Sequence, residues 1–251
     1  MSQQLNPETK ANTILNDVFV FIHNPQSLDN FTRIRLVKEI DALPEVEPKL
    51  VLKGLLHFAA DSFQEGESYF KTAVQQCGAS PFIAINHVSA LAALGQYRLI
   101  NHYFSEYAKI TDSVTVLMSA LETACKYLDL TRIKMILERL EPMEVGLEEF
   151  KEQFEDAKKK REYIPSALAK FGIEEDTLKK HVDTALKVLE DNGTHIHTCG
   201  MNYFEEEGID LFFRINSPYE EVSELNEKLF DAFLDEDLFE NGLTIRFRPL
   251  N

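Results

Sequence analysis

FAADSFQEGESYFKTAV, residues 58–74, decides how the first half of this chain is read. Two later stretches repeat its pattern: LAALGQYRLINHYFSEYAKI (91–110) and CKYLDLTRIKMILERL (125–140). A shift of 34 residues superposes Tyr69 on Tyr103 and Leu137, and Phe70 on Phe104. The same shift places Ala90 on Ala124, Leu94 on Leu128, and the turn residue Gly95 on Asp129. Apolar residues recur at three- and four-residue steps between short breaks, so residues 50–140 read as a succession of helices.

A period of this length built from two helices is that of a tetratricopeptide repeat. Gly54, Gly66, Phe70 and Ala73 fall at the spacing of its small and aromatic packing positions, and LAALGQY (91–97) looks like the turn between its helices. Residues 47–141 therefore resemble a tetratricopeptide-like array of about three repeats. The chain departs from the pattern at Ile100, Lys134 and Tyr107, where the repeat has small residues, and it lacks the closing proline. An earlier pair of helices, around 11–23 and 27–42, reads as a capping hairpin, with Pro25 between them and Pro44 after. The resemblance implies a concave face that binds a peptide or helix, lined by Phe58, Ser89, Lys126 and Tyr127. Packing between hairpins is the competing role for Phe58. His23, His57, His87 and His102 lie on four different helices and read as packing or surface residues.

A charged connecting helix is expected across 142–163, with Phe150, Phe154 and Ala157 on one stripe and Lys158 to Arg161 at its end, where cations complement the helix dipole. The following segment, 164–193, reads as a short helix, a turn at Gly172 and a longer helix, on which His181 is expected half-exposed. Its second helix opens Glu174-Glu175-Asp176, which opposes contact with phosphates and excludes a DNA-reading helix-turn-helix. THIHTCGMNYF (194–204), EEEG (205–208) and IDLFFRI (209–215) form a β-hairpin pattern. A helix carrying Val222, Leu225, Leu229 and Phe233 follows, and LTIRFR (243–248) alternates as a third strand. Helix, strand, strand, helix, strand is most of a ferredoxin-like α/β sandwich without its first strand. The expected fold is α+β and mostly α: a helical-repeat superhelix over 1–141, the connecting helix, and a small acidic domain over 164–251.

His195, His197 and Cys199 lie at alternate positions of the first strand, where two histidines can chelate zinc. A four-residue turn would pair Phe204 with Ile209, set Gly200 opposite Phe213 and Arg214 opposite Cys199, and turn the histidine row outward with Phe212 and Arg214. A guanidinium beside the thiol disfavours a cation, so the row reads as a solvent- or partner-facing surface. A slip of one residue would bury it instead.

Charge separates the halves. Residues 1–140 hold 13 basic and 15 acidic side chains; residues 141–251 hold 13 and 27. The last 51 residues carry only four cations against 13 acids. Such a field disfavours nucleic acid and anionic membranes and speeds encounter with a basic partner. The start lacks a basic and apolar leader, and three scattered cysteines form no disulfide framework, so a cytoplasmic location is expected. The residues imply a non-enzymatic interaction protein with no cofactor. Its helical groove would hold one partner, and its acidic domain a second partner or a second copy, with sheet pairing as a route to a homodimer. One alternative is an antitoxin- or immunity-like inhibitor of a basic protein such as a nuclease. Another is a metal-dependent enzyme using His195 and His197.

Overall fold

The computed structural model describes residues 7–143, 148–204, 206 and 208–250. Residues 1–6, Glu205 and Glu207 of the expected turn, and residues 144–147 at the start of the expected connecting helix lie outside them. The chain is α+β and mostly helical, with a small three-stranded sheet near its C-terminal end. None of the described helices is long and apolar enough to cross a membrane. Two compact units divide it: Met1–Leu94 with Lys109–Val116, and Gly95–Ala108 with Leu117–Asn251.

The first unit is built on α1 (Pro7–His23), α2 (Asn30–Asp41), α3 (Val46–Ala59), α4 (Phe63–Cys77) and α5 (Pro81–Ala93). Helix α3 is central and packs on α1, α2, α4 and α5. Its pairing with α4 is a reciprocal interlock of glycine and phenylalanine. A Cβ on Gly54 of α3 would lie 2.8 Å from the Phe70 ring of α4. A Cβ on Gly66 of α4 would lie 2.4 Å from the Phe58 ring of α3. Each ring occupies the space that the other helix's glycine leaves empty, so the two backbones approach closely and bury both aromatics. His87 of α5 completes the layer, its ring 4.1 Å from that of Phe70 and its Nε2 2.7 Å from Glu67 Oε1. The carboxylate can only accept, so the imidazole donates from Nε2.

Left-handed turn residues recur between the helices at a similar spacing. The residue closing the turn within each hairpin is left-handed: Asp61 (φ 56°), Gly95 (φ 70°) and Leu128 (φ 52°). Gly95 follows Asp61 by 34 positions and Leu128 follows Gly95 by 33, so the third turn closes one residue early.

The second unit holds most of α6 (Tyr97–Ile110) and α7 (Val114–Lys126), then α8 (Leu130–Leu140), α9 (Lys151–Lys170) and α10 (Glu175–Asp191). The sheet follows as β1 (Ile196–Phe204), β2 (Gly208–Ile215) and, after α11 (Tyr219–Asp235), β3 (Leu243–Pro249). Helix α9 runs through Pro165 and joins the expected connector to the short helix expected after it. Strands β1 and β2 are antiparallel, and β3 lies parallel beside β2, reached through α11. Helices α10 and α11 pack on each other and on β3. Leu211, Phe213, Ile215, Ile245 and Phe247 are buried, as are Val222, Leu225 and Leu229 of α11. The Asn226 side chain of α11 donates to Phe247 O and accepts from Phe247 N, at 3.0 and 2.8 Å, which occupies the outer edge of β3 at that residue. Tyr97 serves β1 similarly: its hydroxyl accepts from Ile196 N at 2.8 Å and donates to Thr194 O at 3.2 Å. His181 is buried, not half-exposed, with ring nitrogens against Thr177 O and Leu238 O.

The hairpin register differs from the expected one by a residue. Phe204 pairs with Gly208, Cys199 with Phe213 and Gly200 with Phe212. Gly208 belongs to the strand because the 242 loop crosses it: a Cβ there would meet Gly242 O at 2.2 Å, and Ile209 N donates to that oxygen at 2.7 Å. Near the start of β1, Ile196 pairs with Ile215 but Thr198 with Arg214, leaving His197 as the extra residue of a bulge. Cys199, Met201 and Tyr203 thus share the face of Phe213, Leu211 and Ile209, turning inward the row expected outside, while Phe204 and Thr198 are exposed.

Candidate functional site

Two features of the second unit bring chemistry-bearing side chains together. The first is the sheet face opposite the helices. Alternation along β1, β2 and β3 puts Thr198, Asn202, Asp210, Phe212, Arg214, Thr244, Arg246 and Arg248 on it. Asp210 is 5% exposed, closed over by its own partners. It accepts from Arg246 Nε at 2.9 Å and Nη2 at 3.0 Å, from Arg248 Nη2, and from Asn202 Nδ2 at 3.2 Å. Arg248 also stands 4.1 Å from the Phe212 ring centroid and Arg214 5.6 Å from it, within cation–π range. One buried carboxylate therefore holds two guanidinium groups, and a third, that of Arg214, stands by the Phe212 ring; Arg214 and Arg246 are exposed. Of the four cations in the last 51 residues, three (Arg214, Arg246 and Arg248) stand on this face; the fourth is Lys228.

The second feature is a cavity of about 440 Å³ bounded by α7, α9 and the start of the sheet. Met118, Leu121, Cys125, Met201 and Leu211 give it apolar walls; Lys126, Lys160, Asp156, His197 and Cys199 add polar groups. Burial pushes the Cys125 thiol up to about 11 and the Cys199 thiol up to about 12, so both are neutral near pH 7. Burial lowers the Lys126 pKa, opposed by Cys199 and Glu122. The structure thus gathers Lys126, His197 and Cys199 into one cavity, although Lys126 was expected on the helical-repeat face and the two strand residues on an outward-facing row. The signals missed were the one-residue register difference and the bulge at His197, by which the Cys199 row faces inward with Phe213 and Leu211.

A third cleft, lined by Arg98, Arg132, Lys179, Lys180 and Lys187, is basic in composition but largely answered internally. Glu190 takes Arg98, Asp129 takes Arg132, and Asp183 takes Lys179.

The other expected site residues scatter. Phe58 is 2% exposed and stacked between Phe63 and Phe70, and Tyr127 is 4% exposed, so both are packing residues. Ser89 is exposed on α5. Phe212 is half-buried and Arg214 exposed on the open sheet face. His195 is exposed beside the Gly95 turn, its Cε1 3.8 Å from where a Gly95 Cβ would stand, and the bulge separates it from the Cys199 face. No cluster of three or more His, Cys, Asp or Glu side chains among the described residues has metal-binding geometry.

Compared with family models, curated proteins and solved structures, the chain matches none.

Proposed function

We propose that this protein is a non-enzymatic interaction module that joins two partners. In this reading the helical hairpins form a tetratricopeptide-like array that holds one partner, and the C-terminal part is a ferredoxin-like sandwich lacking its first strand. Its uncovered sheet face holds an acidic segment of the second partner. The observation that carries the reading is the placement of three of the four cations of the last 51 residues on one open face around Phe212. Guanidinium groups pair with carboxylates in a fixed fork and stack on aromatic rings, which suits them to recognising an acidic peptide. The chain's net charge of -16 repels a long polyanion over its whole length, whereas a short acidic segment meets mainly the local patch.

The direct test compares partners captured from the source cell by the wild type and by an Arg214→Glu/Arg246→Glu variant. Proteins with an acidic segment, retained by the wild type and lost by the variant, support the reading. An identical set of partners removes it.

A second reading is favoured by the outer face of α11, where Glu220, Glu221, Glu224, Glu227 and Asp231 are exposed. It would hold a basic protein, as in inhibition of a nuclease. Loss of a basic partner on Glu224→Lys/Glu227→Lys, with the arginine variant unaffected, would favour it over the first.

A further inference from the structure

Lys126 of α7 is a charge with no ion pair among the described residues. It lies half-buried in the wall of the 440 Å³ cavity. It makes no hydrogen bond or ion pair among the described residues, and its nearest ring, Tyr127, is 5.8 Å away. An ammonium drawn partly out of water without a counter-charge costs free energy, and a methionine or leucine would fill the same space without that cost. Glu122 favours the ammonium at a distance, but neither nearby acid forms an ion pair with it. Asp156 is held by Lys160 at 2.8 Å, and Glu122 is exposed. The two thiols of the cavity are protonated and supply no anion.

We propose that this cavity binds a small amphipathic carboxylate, its head on the Lys126 ammonium and its hydrocarbon body against Met118, Leu121, Met201 and Leu211. The wall chemistry selects the class: one cation without an ion pair, Lys126, beside a wall of thioethers, thiols and leucines, while the second cation, Lys160, is paired with Asp156. A doubly or triply charged ligand such as a nucleotide would find one free cation, with Asp156 and Glu122 opposing it. At about 30 Å³ per non-hydrogen atom, the share of one water in the liquid, the space holds roughly 15 such atoms. A medium-chain fatty acid or an aryl carboxylate is of that size. The site is separate from the open sheet face, and its occupancy does not depend on the interaction reading.

The test uses the full chain with ¹³C-labelled methionine methyl groups, titrated with octanoate and, separately, with 1-octanol. Met118 and Met201 line the cavity, whereas Met135 and Met143 do not. Octanoate is expected to shift the Met118 and Met201 methyl signals saturably and to bind more tightly than octanol. Lys126→Met should weaken octanoate by about tenfold or more and leave octanol unchanged, the dispersed methyl spectrum reporting that the variant is folded. Should that variant fail to fold, Leu121→Phe, which fills the cavity and keeps the charge, should abolish the shifts from both probes. The proposal is overturned if millimolar octanoate leaves both methyls unmoved, if octanol binds as tightly as octanoate, or if the affected methyls are those of Met135 or Met143.

Discussion

Arg248 stands 4.1 Å from the ring centroid of Phe212 while its Nη2 donates to Asp210, so one guanidinium joins an aromatic platform to a buried carboxylate. Asp210 fixes Arg246 as well, through two further bonds. Its role is to hold two arginines upright on a face that no described helix covers.

Asp210→Asn should therefore loosen both arginines. Charge-assisted bonds to a buried acceptor are lost, and chemical denaturation should report a destabilisation of about 1–2 kcal/mol, reduced from the fully buried case because Arg246 is half-exposed. Unchanged stability together with unchanged Arg246 and Arg248 side-chain resonances would show that Asp210 does not organise the face.

In the first unit, Gly66→Ala drives a methyl into the Phe58 ring, 2.4 Å from its nearest atom. Overpacking of this kind costs about 1–3 kcal/mol, and the better helix propensity of alanine returns at most about 1 kcal/mol. A net loss of stability is expected from urea unfolding. A variant as stable as the wild type would mean that the α3–α4 crossing tolerates a wider spacing than the interlock requires.

His87 makes the first unit acid-sensitive. Burial lowers its pKa below the ordinary 6.5, and this outweighs the opposing effect of the hydrogen bond it donates to Glu67. Above the unfolded value both states are neutral and His87 adds no pH dependence. Below it the unfolded chain takes up a proton that the folded chain refuses, so stability falls as pH falls from 6.5 toward the lower folded value. Urea midpoints at two pH values either side of 6.5 should differ for the wild type and differ less for His87→Gln. Equal differences in the two proteins would contradict this assignment.

The cysteines are expected to divide by burial. Cys77 is exposed, whereas Cys125 is buried, Cys199 lies in the cavity wall, and both of these thiols are strongly raised in pKa. Iodoacetamide at mildly alkaline pH should alkylate Cys77 readily and the other two only after unfolding. Rapid alkylation of Cys199 in the folded protein would contradict this division.

Much of the architecture was legible because its determinants are local. The Gly54, Gly66 and Phe70 spacing marks the α3–α4 crossing, and the turn positions recur in the left-handed residues Asp61, Gly95 and Leu128. The hairpin itself was legible, but its register was not. Gly208 reads as a turn glycine in sequence, whereas its lack of a side chain serves the backbone of Gly242, more than thirty residues away. The His197 bulge has no local signature either, and it changes which side chains point inward. Those two long-range effects hid the candidate site. The cavity exists because Cys199 and Met201 face α7 and α9, and the arginine face stands out only once β3 is known to lie parallel beside β2.

The central claim is that the open sheet face receives an acidic segment. A photo-reactive amino acid at Thr244, exposed on that face beside Arg246, tests it in the source cell. Irradiation should yield an adduct whose partner peptide is rich in aspartate and glutamate, and the adduct should vanish when Arg214 and Arg246 are changed to glutamate. An adduct that persists in that variant, a cross-linked peptide without acidic character, or no adduct from Thr244 at all would contradict the account.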